Sequence, residues 1–198
     1  MDGRILYNPL AALGKGRGFA AALLIIAALT AVAWWGGVHL DGALDMHVAQ
    51  EPPSGLLAIA ESLIAWLSLG FLLSAAAKLS GGNGGTGAHL AAVGLSRFPY
   101  ILAAIILSRR LLGKAILSAF VVGREEIVMR PQNLLTPAVI IGGFAVFGLV
   151  IWAVVALYLG YSEASRLRGG KAAASFVIGI VLAEVISKLI LWLVRIAA

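Results

Sequence analysis

No cysteine occurs in the 198-residue chain. That excludes a disulfide framework, a thiolate nucleophile and a cysteine-ligated zinc finger, and it removes redox chemistry as a guide to compartment. Charge is scarce as well, at 12% of residues against about 25% in soluble domains. Only three histidines are present. No Ser/His/Asp set with nucleophile-elbow flanks and no HExxH helix occurs, so hydrolase and metalloprotease chemistry find no support.

What fills the space is apolar. Hydrophobic residues make up 61% of the chain and the mean hydropathy is +1.00. A soluble domain of this size cannot hide so much apolar surface, so lipid must be its solvent. The chain therefore reads as an all-α, polytopic transmembrane bundle. The net charge of +6 reflects basic loops beside anionic headgroups. Nucleic acid is not an expected partner, since no basic stripe interleaved with aromatics is present.

Five apolar runs are long enough to cross a hydrocarbon core of about 30 Å. Met1–Arg17 is a basic N-terminal segment, and residues 18–198 form the membrane domain. The spans fall at about 18–38, 56–77, 88–108, 138–161 and 172–194. Ala31-Val32-Ala33 also fits a signal-peptide cleavage pattern, but the long N-region and the later spans favour a retained first helix. The third span carries His89 and Arg97, and Pro99 should bend it. A later window would bring Arg109, Arg110 and Lys114 into the membrane, which costs more than one arginine. Leu111–Gly123 is too short to cross and is expected to form an interfacial or re-entrant helix between spans three and four. The charged stretch Arg124-Glu125-Glu126 and then Arg130-Pro131 should end it.

Loop charges set the orientation. Arg4, Lys15 and Arg17 precede span one, and Arg166, Arg168 and Lys171 follow span four. The first loop, His39–Gly55, has neither lysine nor arginine. The N-terminus is thus expected in the cytoplasm of a cell-membrane protein. Arg109–Arg130, with five cations, runs against the rule.

Several motifs cluster along this frame. Tyr7-Asn8-Pro9 opens the chain, and a glycine-rich turn (Gly81-Gly82-Asn83-Gly84-Gly85-Thr86-Gly87) follows span two. Leu95-Ser96-Arg97-Phe98-Pro99-Tyr100 lies in span three. Trp152, Tyr158-Leu159-Gly160-Tyr161 and Arg168-Gly169-Gly170-Lys171-Ala172 run across spans four and five. In order and spacing this set resembles the bacterial branch of the Yip1 domain family. The resemblance implies a five-span integral membrane protein, here of the bacterial inner membrane, with little established chemistry. Eukaryotic members are associated with Golgi and endoplasmic-reticulum trafficking and with Rab GTPases. Their long N-terminal region is reduced here to Met1–Arg17, so Rab binding does not carry over.

Two constellations carry candidate chemistry. His39, Asp41, Asp45, His47 and Glu51 offer nitrogen and oxygen donors in the first loop, a set suited to a divalent metal if a short helix aligned them. The alternative is an acidic, water-exposed loop, and no cofactor is otherwise expected. Glu184 and Lys188 lie one turn apart in span five, with Arg97 in span three and Glu61 near the start of span two. Charges in hydrocarbon cost about 2.5–3.5 kcal/mol each on insertion scales. They either line a polar path, as in a small transporter or channel, or form a structural pair that fixes helix register.

The GxGxxG spelled by Gly82, Gly84 and Gly87 lacks a preceding strand and reads as a flexible turn. Gly142, Gly143 and Gly148 are expected to let span four pack closely. Arg166, Arg168 and Lys171 are expected to meet headgroups. A non-enzymatic protein that organises membrane or partner proteins is the leading reading. Its expected partners are membrane lipids and a second copy or another membrane protein.

Overall fold

A computed structural model describes residues 4–48, 50–82, 85–118, 120–122, 127–129 and 136–197. Five of its helical segments are long and apolar enough to cross a membrane: Gly16–Gly36, Gly55–Leu79, Thr86–Leu107, Pro137–Ser165 and Gly169–Ile196. The expected five-span bundle is the architecture found.

A short helix α1 (Arg4–Tyr7) precedes α2 (Pro9–Gly36). The Asn8-Pro9 pair explains the break. The Asn8 side chain accepts from the Ala11 N–H at 3.3 Å, and Pro9, with no N–H to lose, occupies the first turn. Gly37 ends α2 in the left-handed conformation at φ 66°, accepting the chain reversal that a side chain resists. Ala31, Val32 and Ala33 lie in the closing turns of this helix, with Ala33 buried, so the first span is a packed part of the bundle.

Ser54 caps α3 (Gly55–Leu79) by accepting from the Leu57 N–H at 3.2 Å. The third span is two helices, α4 (Thr86–Ser96) and α5 (Phe98–Leu107), broken at Arg97. Pro99 causes the break, as expected: its ring cannot continue the hydrogen-bond ladder. This span is the best buried of the five. Helix α4 packs on α2, α3 and α7 (Pro137–Ser165), while α3 also carries α8 (Gly169–Ala197). Trp66 on α3 donates its indole N–H to the Leu90 carbonyl of α4 at 2.8 Å.

Two expectations are corrected. Between spans three and four the helix α6 covers only Gly113–Ser118, not Leu111–Gly123. It gives way to a hairpin, β3 (Phe120–Val122) with β4 (Ile127–Met129) antiparallel, because Phe120-Val121-Val122 and Ile127-Val128 are β-branched or aromatic. The expected stop at Gly123, Arg124, Glu125, Glu126, Arg130 and Pro131 lies outside the described residues. Among the described residues of the first loop no short helix forms. Val38–His39 (β1) pairs antiparallel with His47–Val48 (β2), so residues 40–46 close a turn. Each of these two strands is two residues long.

The glycine expectation shifts too. A side chain at Gly143 or Gly148 would meet nothing within 4 Å. Close packing in span four falls on Gly160, whose added Cβ would come within 3.0 Å of Ala92 on α4, and on Gly142 against Leu112. Gly84 of the GxGxxG run lies outside the described residues.

Candidate functional site: a loop pinned inside the bundle

The first loop enters from the end of the bundle opposite the N-terminus, yet it does not lie in water. Val38, Leu40, Gly42 and Ala43 are buried. Arg97, at the middle of span three, donates to the Ala43 carbonyl. Tyr100, one turn further along, donates its hydroxyl to the Leu44 carbonyl at 2.9 Å. Glu184, near the middle of span five, accepts the Leu44 N–H at 2.9 Å. The turn therefore reaches mid-span depth. Non-helical backbone at that depth is tolerable only where protein satisfies its N–H and C=O groups. These three side chains do so. The Arg97 guanidinium also lies 4.8 Å from the Tyr100 ring centroid, an attractive cation–π contact in a dry setting.

Toward the loop entrance a second cluster forms. Glu61 on α3 is fully buried and accepts the Leu40 N–H at 3.0 Å. Its other oxygen lies 2.7 Å from His39 Nδ1 and 2.6 Å from a guanidinium nitrogen of Arg195. Arg195 also meets Asp41, and Asp41 lies 3.3 Å from His47. The His39 and His47 rings stack with centroids 5.7 Å apart. His39 Nε2 donates to the Glu51 carbonyl at 3.1 Å. With acceptors at both ring nitrogens, the imidazolium is the form that fits. The hydrogen bond to Glu61 raises the His39 pKa most; burial and Arg195 oppose it less strongly.

The sequence-derived residues thus divide. Glu61, Arg97, Glu184 and Lys188 all reach the first loop, but at two levels. Lys188 bridges Glu184 at 3.1 Å and Asp45 at 2.9 Å, and its side chain is half exposed. Of the five loop donors, His39, Asp41 and His47 stay together, whereas Asp45 leaves for Lys188. Glu51 contributes its backbone carbonyl to the cluster. A compact donor trio does exist, His39, Asp41 and Glu61, with ligand atoms within 4.8 Å of one another. Arg195 touches all three members, so a guanidinium supplies the positive charge there.

Arg195 and Tyr100 are the members that sequence reasoning missed. The signal for Arg195 was present. Positions 184, 188 and 195 are spaced by four and seven, which puts them on one face of an α-helix. That charged stripe on α8 faces the loop. Charge also balances within the assembly. Asp41, Asp45, Glu61 and Glu184 are opposed by Arg97, Lys188, Arg195 and protonated His39. At the other end, Arg168 serves the fold: it donates to the Ser162 carbonyl at 2.6 Å, closing the end of α7.

These features define a polytopic α-helical membrane protein whose first loop is held inside the bundle by charged side chains from spans two, three and five. The family model of the Yip1 domain matches residues 10–191, almost the full length, and the chain belongs to that family. No curated protein and no solved structure matches it.

Proposed function

We propose that this chain is a non-enzymatic Yip1-family protein that organises membrane or a partner membrane protein through its helices. The supporting observation is the fate of its intramembrane ionisable groups. Arg97, Glu61 and Glu184 are committed to backbone atoms of the 40–44 turn rather than facing one another across an open path. A carrier needs such groups free to exchange partners with a solute; here each has a fixed structural partner. What the bundle turns outward is apolar helix, including Phe144 and Phe147 on α7 and Val181, Val185 and Leu189 on α8. Lipid, a second copy or another membrane helix suits that surface.

We place the protein in the cell membrane, for a bacterial chain the inner membrane, with its N-terminus cytoplasmic. Arg17, Lys78, Arg166, Arg168 and Lys171 gather at the N-terminal end, while Asp41, Asp45 and Glu51 mark the other.

The natural lack of cysteine makes the decisive experiment clean. Single cysteines are placed at Ala43, in the buried turn, and at Glu51, which is exposed. A membrane-impermeant charged maleimide should label Glu51→Cys from the outside of intact cells and leave Ala43→Cys unlabelled until denaturation. Ready labelling of Ala43→Cys in the folded protein would support a wet path and the carrier reading.

A further inference from the structure

We propose that the bundle binds one anionic diacyl phospholipid at the end opposite its N-terminus. The phosphate is held by Arg109, Arg110 and Lys114, and the two acyl chains lie along opposite flanks of α2.

The cations are gathered by the fold. The Arg109 N–H donates to the Gly36 carbonyl at 2.8 Å, which fixes the turn after α5 to the end of α2. The Arg110 guanidinium lies 4.7 Å from the Trp35 ring centroid, and Arg109 packs its stem on Gly37. Together with Lys114 they border a hollow of about 630 Å³ that also includes Trp34. Among the described residues, no carboxylate lies within ion-pair distance of any of the three. Lys188, Arg195 and Arg168 all have such a partner. Three cations gathered in one hollow, with no carboxylate partner among the described residues, call for an anion, and phosphate oxygens are natural acceptors for them.

Two apolar recesses adjoin this hollow, and each shares a tryptophan with it. Trp34 also lines a groove of about 560 Å³ between α2 and α3, which runs down to Leu23 and Leu63. From Leu23 to Trp34 is eleven residues of helix, about 16 Å. That matches half of a hydrocarbon core of about 30 Å. Trp35 lines a second recess of about 400 Å³ with Val32 and Ile105, on the α5 side. A cationic hollow at helix ends, flanked by exposed indoles and opening into two apolar recesses, has the division of polarity of a diacyl lipid. A free phosphate would use only the first of the three spaces, so the charge and the grooves together select a lipid. The same site accounts for cations at the end of the bundle where loop-charge rules expect few.

The test uses the full chain in nanodiscs and native mass spectrometry. Phosphatidylglycerol should be retained as a single adduct, and phosphatidylcholine of the same chains should not. Arg109→Gln/Arg110→Gln/Lys114→Gln should lower phosphatidylglycerol retention at least tenfold. Arg166→Gln/Lys171→Gln, with cations removed from the other end, should leave it unchanged. Ala27→Phe, which fills the α2–α3 groove, should lower it with all three cations in place; this variant decides the matter alone if the triple variant fails to fold. Excess inorganic phosphate should not compete. The proposal is overturned by equal retention of phosphatidylcholine or by an unaffected triple variant. Competition by inorganic phosphate with Ala27→Phe inert would also overturn it, in favour of a soluble-anion site.

Discussion

Leu44 donates its backbone N–H to Glu184 at 2.9 Å, joining the first loop to the last helix across 140 residues of sequence. The carboxylate thereby does for an irregular backbone what a helix or sheet would do with its own carbonyls. On the opposite side of the same turn, Arg97 and Tyr100 supply donors to the Ala43 and Leu44 carbonyls. The loop is held from both sides, and each grip depends on the turn being in place.

Coupled losses follow from that arrangement. Arg97→Met leaves the Ala43 carbonyl unsatisfied, at a cost of about 1–3 kcal/mol. Glu184→Leu should cost at least as much, since it strips the Leu44 N–H and one partner of Lys188. Because both residues hold one turn, the double variant should lose less than the sum of the two. Thermal unfolding of the detergent-purified protein reads all three; strict additivity would show that the two side chains act independently.

Gly42 is the point of closest approach between loop and helix. A Cβ there would come within 2.5 Å of a Glu184 carboxylate oxygen and 2.9 Å of its carbon. Gly42→Val should therefore expel the turn, with a loss of about 1–3 kcal/mol or more. Combining it with Ala43→Cys should make the buried cysteine reactive to a charged maleimide in the folded protein.

Stability should depend on pH through His39. Its hydrogen bond to Glu61 makes the folded chain hold the imidazole proton more tightly than the unfolded chain does. The contribution is therefore complete below the ordinary histidine value of about 6.5 and is lost as pH rises through the raised folded value. Arg195, Asp41 and His47 surround the pair and do not reverse the sign. His39→Gln should flatten the decline in melting temperature between neutral and alkaline pH. An unchanged slope would assign the dependence to another group.

Removing Arg195 should expose the chemistry latent in the trio it fills. Arg195→Ala takes from buried Glu61 one of its two cationic partners and leaves it His39, so the variant should be destabilised. His39, Asp41 and Glu61 then present donor atoms close enough for a divalent ion. Excess zinc should raise the melting temperature of this variant by mass action and leave the parent protein unmoved. Zinc stabilisation of the parent of equal size would mean that the guanidinium does not hold the site.

The membrane frame was legible because each span is a long apolar run, and Pro99 announced the break in the third. The loop was not. Asp41, Asp45 and Glu51 give it the composition of a water-exposed segment, and its burial becomes visible only when Arg97, Lys188 and Arg195 are brought to it from distant helices. Arg195 stands near the end of span five, where a lone cation ordinarily reads as snorkelling to the interface. Its role follows from the four- and seven-residue spacing with Lys188 and Glu184. Helix periodicity displays that stripe, but not what it faces.

Glycine shows the same division between pattern and partner. Gly142, Gly143 and Gly148 look like a packing motif, whereas Gly94, isolated in sequence, sits at the tightest helix crossing. A Cβ at Gly94 would collide with the Cβ of Ala22 and lie 3.0 Å from its Cα, so α2 and α4 would have to move apart. Backbone atoms cannot yield as a side-chain tip can. Gly94→Val should thus be strongly destabilising, by about 1–3 kcal/mol or more from overpacking alone. Gly148→Ala meets nothing within 4 Å, and alanine limits the unfolded backbone, so it should be neutral or slightly stabilising. Melting temperatures of the two variants, measured side by side, check the contrast. Equal losses would mean that span four uses Gly148 against a partner helix outside this chain.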